Sequence, residues 1–336
     1  MSRKDRKQKI KDLLTLEKVE GPVISLYLPL HPREDSPEQD TVTLNSLIDQ
    51  AKTAIELEYS NKLWNAYQFQ LNKLFANGLP TSETLSQGLL VYVTTDSIEQ
   101  IDLNFAITAG LYINPQPLLW PILINNRPQP DFDLLLLQKH QARLVRVTYA
   151  NQVTFDTILT ITASAAEKAD PTTFFTSVDE QILTQATNQD QLPLILIANE
   201  QDQGAFRKVS KNRALSASIT QTIDPNLQAD RMQLAQLAQQ VADKLTTAGI
   251  AALQTEITNA QGAKKFIQTP TEIVDQIKVN DVATLVLTLD TLTVFGDAST
   301  VNDLLKQAVV GDTEIFIFTD QMMTPVAPLA ILRHTI

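Results

Sequence analysis

Cysteine is absent from this 336-residue chain, and glycine is scarce. Without a thiol the chain can form no disulfide, no thiolate nucleophile and no cysteine-built zinc or iron–sulfur site, which suits a reducing cytoplasm. The nine glycines are under half of the roughly 7% of an average protein. They stand singly, and no GxGxxG or GxxxxGK spacing occurs. The sequence therefore excludes nucleotide binding through a Rossmann fingerprint or a P-loop, and we predict no cofactor.

Long apolar runs are missing as well. No run approaches the roughly 18–20 residues that span a bilayer. The basic N-terminus, MSRKDRKQKIKDLL, lacks the apolar core of a signal peptide. We therefore expect a cytoplasmic protein with no membrane partner.

Positive charge is outnumbered, because 27 Lys and Arg face 38 Asp and Glu and the net charge is −11. An acidic surface repels phosphates, so we expect weak binding to naked nucleic acid and no DNA partner. A local basic patch can still contact RNA, and a large RNA–protein machine also offers protein surfaces. The hydrophobic content of 43% is that of a folded globular protein, and the length predicts two or three domains.

Apolar periodicity predicts alternating strands and helices. A helix over 2–18 precedes the strand PVISLYLPL, and a helical pattern from Thr41 to Ala76 is one long helix or two. The strands GLLVYVTT and IEQIDLNFAI lead to NPQPLLWPILINNRPQP, whose prolines mark a first candidate boundary. A hairpin, FDLLLLQK with ARLVRVTYA, and a third strand, VTFDTILTI, follow.

The second half of the chain alternates in the same way. After a possible helix at 176–187, LPLILIA is typical of a parallel strand buried on both faces. The run LQADRMQLAQLAQQVADKLTTAG predicts a helix that ends at Gly249. Helices at 271–278 and 299–309 then alternate with the strands ATLVLTLD, TEIFIFT and APLAILRH, which indicates an α/β domain.

Five segments carry a resemblance in their order along the chain. They are PVISLYLPL, QGLLVYVTTDSIEQIDL, PLLWPILINNRPQPDFDLLLLQKHQARLVRV, ATLVLTLDTLTVFG with VNDLLKQAVVGDTEIFIF, and PVAPLAILRH. In this order they resemble the bacterial relatives of the archaeo-eukaryotic release factors and Pelota. The resemblance spans nearly the whole chain.

That resemblance implies an α/β fold on a three-domain plan. The domains would be an N-terminal α/β domain at 1–130, a ribonuclease-H-like middle domain at 131–224, and a C-terminal α/β/α domain at 225–336 similar to kink-turn RNA-binding proteins. It also implies a translation factor whose partner is the ribosome, or ribosomal or transfer RNA.

One family motif is missing. Release factors carry Gly-Gly-Gln in the middle domain, where it brings the backbone to peptidyl-tRNA and positions a water on the ester. This sequence contains no Gly-Gly pair, and the segment where the loop should lie, TASAAEKADPTTFF, has no glycine. Hydrolysis by the family's route is therefore not expected, and no catalytic residue is carried over.

The residues suggest few sites for metal or acid–base chemistry. His31, His140 and His334 form no HExxH or similar pair, and strand ends or turns explain each of them. Asp131 and Asp133 share a strand face at the start of the apolar run LLLL. Asn199, Glu200 and Asp202 follow the strand LPLILIA, where sites of α/β proteins gather. Together with Glu200, Asp131 and Asp133 are the one candidate set for a Mg²⁺-dependent nuclease. A solvated strand start and a polar loop explain the same residues.

Basic residues supply the candidates for RNA contact. The string RKVSKNR holds Arg207, Lys208, Lys211 and Arg213, and helical spacing would place Lys208 and Lys211 on one face. Lys264 and Lys265 form a weaker pair, and the basic N-terminus is a third candidate. Each is also explained as a solvated surface.

Three functions therefore remain open. The first is a non-catalytic, ribosome-associated factor that acts in translation stress, rescue or dormancy by docking. The second is a metal-dependent nuclease or hydrolase of the middle domain. The third is a protein-binding module that makes no RNA contact.

Overall fold

Two compact units make up the chain. The computed structural model describes residues 10–14, 20–31, 37–75, 87–103, 105, 107–125, 131–149, 153–186, 192–223, 225–319 and 323–335. Within these ranges, Pro128–Ile250 forms one unit, here called the middle unit. Asp5–Arg127 and Ala251–Ile336 together form the other, here called the terminal unit. No helix in the described ranges is both long enough and apolar enough to cross a bilayer.

The N-terminal part of the terminal unit is an antiparallel sheet with helices against it. Its elements are β1 (Val23–Pro29), α1 (Pro37–Glu58), α2 (Asn61–Phe75), β2 (Gly88–Val93), β3 (Ile98–Leu103), β4 (Gly110–Asn114) and α3 (Trp120–Asn125). The strands lie in the order β3-β2-β1-β4. Because side chains alternate along a strand, Ile24, Leu26 and Leu28 of β1 pack in one core with α1 and α2.

The long helical pattern from Thr41 to Ala76 proves to be two helices. They separate at Ser60, whose hydroxyl oxygen accepts the Leu63 backbone N–H at 3.2 Å and so caps α2. Strand β4 and helix α3 were not predicted. Helix α3 lies inside the proline-bearing segment that was predicted as the first candidate boundary. Of the predicted helix over 2–18, Ile10–Leu13 is helical, and most of the remainder lies outside the described residues.

The middle unit is a five-stranded mixed sheet with helices on both faces. Its elements are β5 (Phe132–Gln138), β6 (Gln141–Tyr149), β7 (Val153–Thr162), α4 (Ala165–Ala169), α5 (Pro171–Ala186), β8 (Leu194–Ala198), α6 (Glu200–Val209), β9 (Leu215–Thr222) and the first part of α7 (Arg231–Gly262). The strand order is β7-β6-β5-β8-β9. Only β6 runs against the others, which is the expected ribonuclease-H-like arrangement.

Both faces of this sheet are buried, as the apolar runs predict. Leu135 and Leu137 pack with Phe174 and Phe206 of α5 and α6. The alternate residues of β5 pack with the first part of α7, from Leu234 to Ala242. The prediction that LPLILIA forms a central parallel strand is confirmed, because β8 pairs in parallel with both β5 and β9.

Helix α7 does not end at Gly249, so the predicted end is wrong. Apolar residues continue at helical spacing as Leu253, Ile257 and Ala260, all buried. They hold the helix together through the glycine. The helix ends instead at Gly262, and Lys264, two residues later, has a φ of 56°. There the Lys265 N–H reaches the Ala260 carbonyl at 2.9 Å and the Lys264 N–H reaches that of Gln261 at 3.3 Å, which is a Schellman cap.

The C-terminal part of the terminal unit is a second α/β layer. Its elements are β10 (Phe266–Ile267), α8 (Pro270–Lys278), β11 (Val282–Thr288), α9 (Leu289–Leu292), α10 (Ala298–Val310), β12 (Glu314–Phe318) and β13 (Leu329–Leu332). The sheet order is β10-β13-β11-β12, with β11 and β12 parallel. The predicted alternation of helix and strand is confirmed for α8, β11, α10, β12 and β13, and with it the α/β fold class.

The three-domain division at residues 131 and 225 stays a prediction. The first part of α7 packs on the middle sheet through Leu234, Ala238 and Val241. These contacts favour moving the second boundary from residue 225 to the neighbourhood of Ile250, where the two units meet in sequence.

Buried polar side chains join the two parts of the terminal unit at residues 117–119. The Asn302 side chain of α10 accepts the Leu119 N–H at 2.8 Å and donates to the Pro117 carbonyl at 2.9 Å. Ser25 accepts the Leu118 N–H at 3.1 Å, and the Tyr92 hydroxyl donates to the Leu118 carbonyl. Asn302 is only 2% exposed, so these bonds form away from water and their loss would leave backbone groups unpaired.

Replacing Asn302 with alanine should therefore destabilise the terminal unit. An unpaired buried backbone group costs about 1–3 kcal/mol, so the loss of both bonds should lower the free energy of unfolding by about 2–5 kcal/mol. Urea denaturation measures this. Asn259→Ala, at an exposed position of α7, is the control and should change it by less than about 0.5 kcal/mol. Equal effects of the two variants would contradict the joining role of Asn302.

Candidate nucleic-acid interface

The carboxylates predicted as metal ligands do not come together. Asp133 is bound by Arg146, with Nε to Oδ1 and Nη2 to Oδ2 both at 2.9 Å. These hydrogen bonds raise the pKa of the Arg146 guanidinium, and the charges of Asp131 and Asp156 act in the same direction. A carboxylate held on both oxygens by a guanidinium is a poor ligand for Mg²⁺.

Glu200 lies at the other end of the same sheet. Asp133 pairs in register with Leu194, at the start of β8, whereas Glu200 follows the end of β8 as the first residue of α6. At about 3.3 Å per residue, their backbones are roughly 15 Å or more apart. A shared Mg²⁺ would need oxygens within about 2.1 Å of the ion. In the described part of the chain, no three His, Asp or Glu side chains gather as a metal site.

The polar residues that follow β8 cap the sheet and the next helix. Asn199 accepts the Asp202 N–H at 2.9 Å and donates to the Asp202 carboxylate at 2.8 Å. Gln203 donates to the carbonyls of Ala198 at 3.0 Å and Gln221 at 2.7 Å. These side chains satisfy backbone groups where β8 and β9 end, so they act as caps, which agrees with the polar-loop interpretation.

The three histidines lie in different parts of the fold. His31 contacts the buried Asp40 of α1 through both its backbone N–H, at 2.8 Å, and its ring Nδ1, at 2.5 Å. His140 lies in the β5–β6 turn, and its carbonyl accepts the Ala163 N–H. His334 is exposed and pairs with Asp281. All three positions agree with the strand-end and turn interpretation.

The segment where a Gly-Gly-Gln loop was sought is short and capped. Only Ala163 and Ser164 separate β7 from α4. Ser164 and Glu167 form a capping box, with the Ser164 N–H donating to the carboxylate at 2.8 Å. Asp170 then accepts from the Thr172 N–H and the Thr173 hydroxyl at the start of α5. These hydrogen bonds lower the pKa of both carboxyl groups.

The basic string RKVSKNR covers the end of α6 and the turn that follows it. Helix α6 ends at Val209, so the expected helical face shared by Lys208 and Lys211 is wrong. Lys208, Lys211 and Arg213 are nevertheless exposed. Arg207 is half-buried and donates to the Ser216 carbonyl on β9 at 2.8 Å, so it supports the strand. We call Lys208–Arg213 the basic turn.

A buried carboxylate that sequence reasoning missed holds the basic turn. Asp179 of α5 is 2% exposed and accepts the Ser210 hydroxyl at 2.5 Å and the Lys211 N–H at 2.7 Å. A signal for it exists in the sequence. Asp179 falls on the helical stripe formed by Phe175, Val178 and Ile182, where an acidic residue needs a partner.

The weaker basic pair divides into one structural residue and one exposed residue. The Lys265 ammonium donates to the Arg333 carbonyl at 2.8 Å and therefore ties α7 to the end of β13. Lys264 is exposed at the helix cap. The basic N-terminal candidate up to residue 9 lies outside the described residues. Among the candidates that lie within the described residues, the basic turn thus has the most exposed cations on one short segment.

Comparison with known proteins gives the family. Residues 58–279 match the sequence model of bacterial archaeo-eukaryotic release factor family 3, which is 222 of the 336 residues. The chain belongs to this family. A comparison with curated proteins gives no significant match.

Solved structures similar to this release factor family member include two kinds of translation factor. Pelota of Archaeoglobus fulgidus aligns with a TM-score of 0.40 at 15% identity, over 74% of this chain and 80% of that one. Dom34 of S. cerevisiae, a translation termination-like factor, aligns at 0.43 and 13%, over 74% and 81%. The archaeal termination factor aRF1 aligns at 0.26 and 13%, over 99% of both chains. All three scores are below 0.5, so family membership rests on the sequence match.

The Asp133–Arg146 pair should behave as a structural contact. Asp133→Ala leaves Arg146 half-buried without this partner and should lower the free energy of unfolding by about 1–3 kcal/mol. Asp156→Ala, which removes the same charge from the exposed residue opposite Arg146, is the matched control and should cost less than about 0.5 kcal/mol.

Excess Mg²⁺ should leave the thermal midpoint of the wild-type protein unchanged, because a bound ion would raise it. Differential scanning calorimetry checks both expectations. A thermal midpoint that rises with Mg²⁺ in the wild type but not in Asp133→Ala would show that Asp133 does bind Mg²⁺.

Proposed function

We propose that this release factor family member is a ribosome-associated factor that acts by docking and does not hydrolyse peptidyl-tRNA. Its family supports a role in translation. The factor would act when a ribosome is occupied without peptide release, as in translation stress, rescue of a stalled ribosome or dormancy.

The observation that carries this proposal is the connection from β7 through α4 to α5. Attack of water on the peptidyl-tRNA ester requires a loop that brings backbone groups to the reacting carbon and positions the water. Here only two residues separate β7 from α4, and the starts of α4 and α5 are capped at Ser164 and Asp170. The connection has no glycine to allow a close backbone approach. These features support a factor that docks on the ribosome and does not hydrolyse the peptidyl-tRNA ester.

The charge distribution is compatible with docking through the middle unit. Residues 128–250 hold 10 Lys and Arg against 13 Asp and Glu, a net charge of −3. The remaining residues hold 17 against 25, a net charge of −8. Repulsion from RNA phosphates is therefore weaker for the middle unit than for the rest of the chain.

Sedimentation of tagged protein through sucrose gradients tests the association. In extracts of growing and starved cells, the protein should co-migrate with ribosomal particles at low salt and leave them at high salt, because screening weakens surface charge contacts. Protein that stays at the top of the gradient in both growth states would overturn the proposal.

A peptide-release assay tests the absence of hydrolysis. Ribosomes that carry labelled peptidyl-tRNA should release no more peptide with this protein than with buffer, whereas a Gly-Gly-Gln release factor suited to the same ribosomes should release it. Release above the buffer level would show that a different group positions the water, and the factor would then be an enzyme.

A further inference from the structure

The basic turn lies in a stretch of sequence that contains no acidic residue. From Gln203 to Ile223 the sequence has no Asp or Glu, while it has four Lys and Arg. Three of these, Lys208, Lys211 and Arg213, are exposed. In a chain with a net charge of −11, this is a local reversal of sign.

Three polar side chains hold the backbone of the basic turn in one conformation. Asp179 binds the Ser210 hydroxyl and the Lys211 N–H. Ser210 Oγ accepts the Asn212 N–H at 3.3 Å. Asn212 Oδ1 in turn accepts the Ala214 N–H at 2.9 Å. The chain of bonds runs from a buried carboxylate to Ala214, the residue before β9, so the Cα positions of the cations are held in place before any partner binds.

Fixed cations suit a partner with regularly spaced negative charges. Binding to a mobile loop costs the ordering of its backbone, about 1–2 kcal/mol per residue, and the Asp179 contact removes much of that cost. Lysine and arginine bind phosphate oxygens through charge-assisted hydrogen bonds. No aromatic residue lies between Arg207 and Ile223, so stacking on bases is not available there. The turn therefore fits the RNA backbone and not its bases.

We propose that the basic turn is the surface through which this protein contacts RNA phosphates, and that Asp179 is the positioning residue for that contact. The identity of the RNA as ribosomal or transfer RNA rests on the proposed function; the contact itself does not. The contact is independent of base sequence and sensitive to salt.

The salt dependence of RNA binding tests the surface. Lys208→Ala/Lys211→Ala/Arg213→Ala is compared with Lys52→Ala/Lys62→Ala/Lys73→Ala, which removes the same charge from exposed positions of α1 and α2. Fluorescence anisotropy with a labelled RNA hairpin gives the affinity at several KCl concentrations. Each lost phosphate contact lowers the slope of log K against log salt by about 0.7–0.9, so the first variant should lower it by about 2–3 and the second by far less.

Two results would contradict the proposal that the basic turn contacts RNA. Equal effects of the two triple variants would mean that only total charge matters. A wild-type protein that does not bind the hairpin at low salt would mean that the turn does not contact RNA.

Asp179 is tested by a double-mutant comparison, because a merely structural role would act in any background. Asp179→Ala should weaken hairpin binding of the wild-type protein several-fold and cause no further loss in the basic-turn triple variant. Glu180→Gln, at the exposed neighbouring position, controls for the lost charge. The same several-fold loss in both backgrounds would show that Asp179 does not act through the turn.

Co-sedimentation separates this inference from the proposed function. If the triple variant still sediments with ribosomal particles as the wild type does, while the wild type does not bind the hairpin, the ribosomal function stands and the basic turn is not its RNA contact. If the triple variant leaves the particles but binds the hairpin as the wild type does, the turn docks on a protein surface and the RNA inference is wrong.

Discussion

Within each unit of this protein, buried polar side chains bind backbone groups at the ends of strands and helices and in the segments that connect them. Asn302 binds residues 117 and 119 in the terminal unit. Gln203 binds the ends of β8 and β9, and Asp179 binds the turn between α6 and β9 in the middle unit. A buried polar group without a partner costs about 1–3 kcal/mol. Each contact is therefore selective: only one arrangement of the connecting segment satisfies it.

This constraint bears directly on function. A capping box at Ser164 begins α4 two residues after β7. At the opposite end of the same sheet, the Asp179 contact fixes the turn that carries three exposed cations. In our proposal, the middle unit of this release factor family member touches a charged surface and does not position a water on an ester. A stiff connection loses little entropy on binding, so a modest number of phosphate contacts can be effective.

Apolar pattern was sufficient to predict most of the sheets, and it failed where polar contacts decide. The runs LLLL and LILIA predict central strands that are buried on both faces. Side chains alternate between the two faces of a strand, and in these runs neither face carries a polar residue. Strand β9, LSASITQT, lacks that pattern and was not predicted. Its Thr220 hydroxyl and its backbone pair with β8. The end of α7 was misplaced because Leu253 and Ile257 stabilise the helix beyond Gly249. Contacts such as Lys265 with Arg333 join residues far apart in sequence, which local pattern does not reveal.

The most direct measurement is a cryo-EM reconstruction of this protein bound to a ribosome. We predict that the charged groups of Lys208, Lys211 and Arg213 lie within hydrogen-bonding distance of RNA phosphates, with the Asp179 contacts to Ser210 and Lys211 intact. A bound protein whose basic turn faces solvent, and which contacts the ribosome through other surfaces alone, would contradict it.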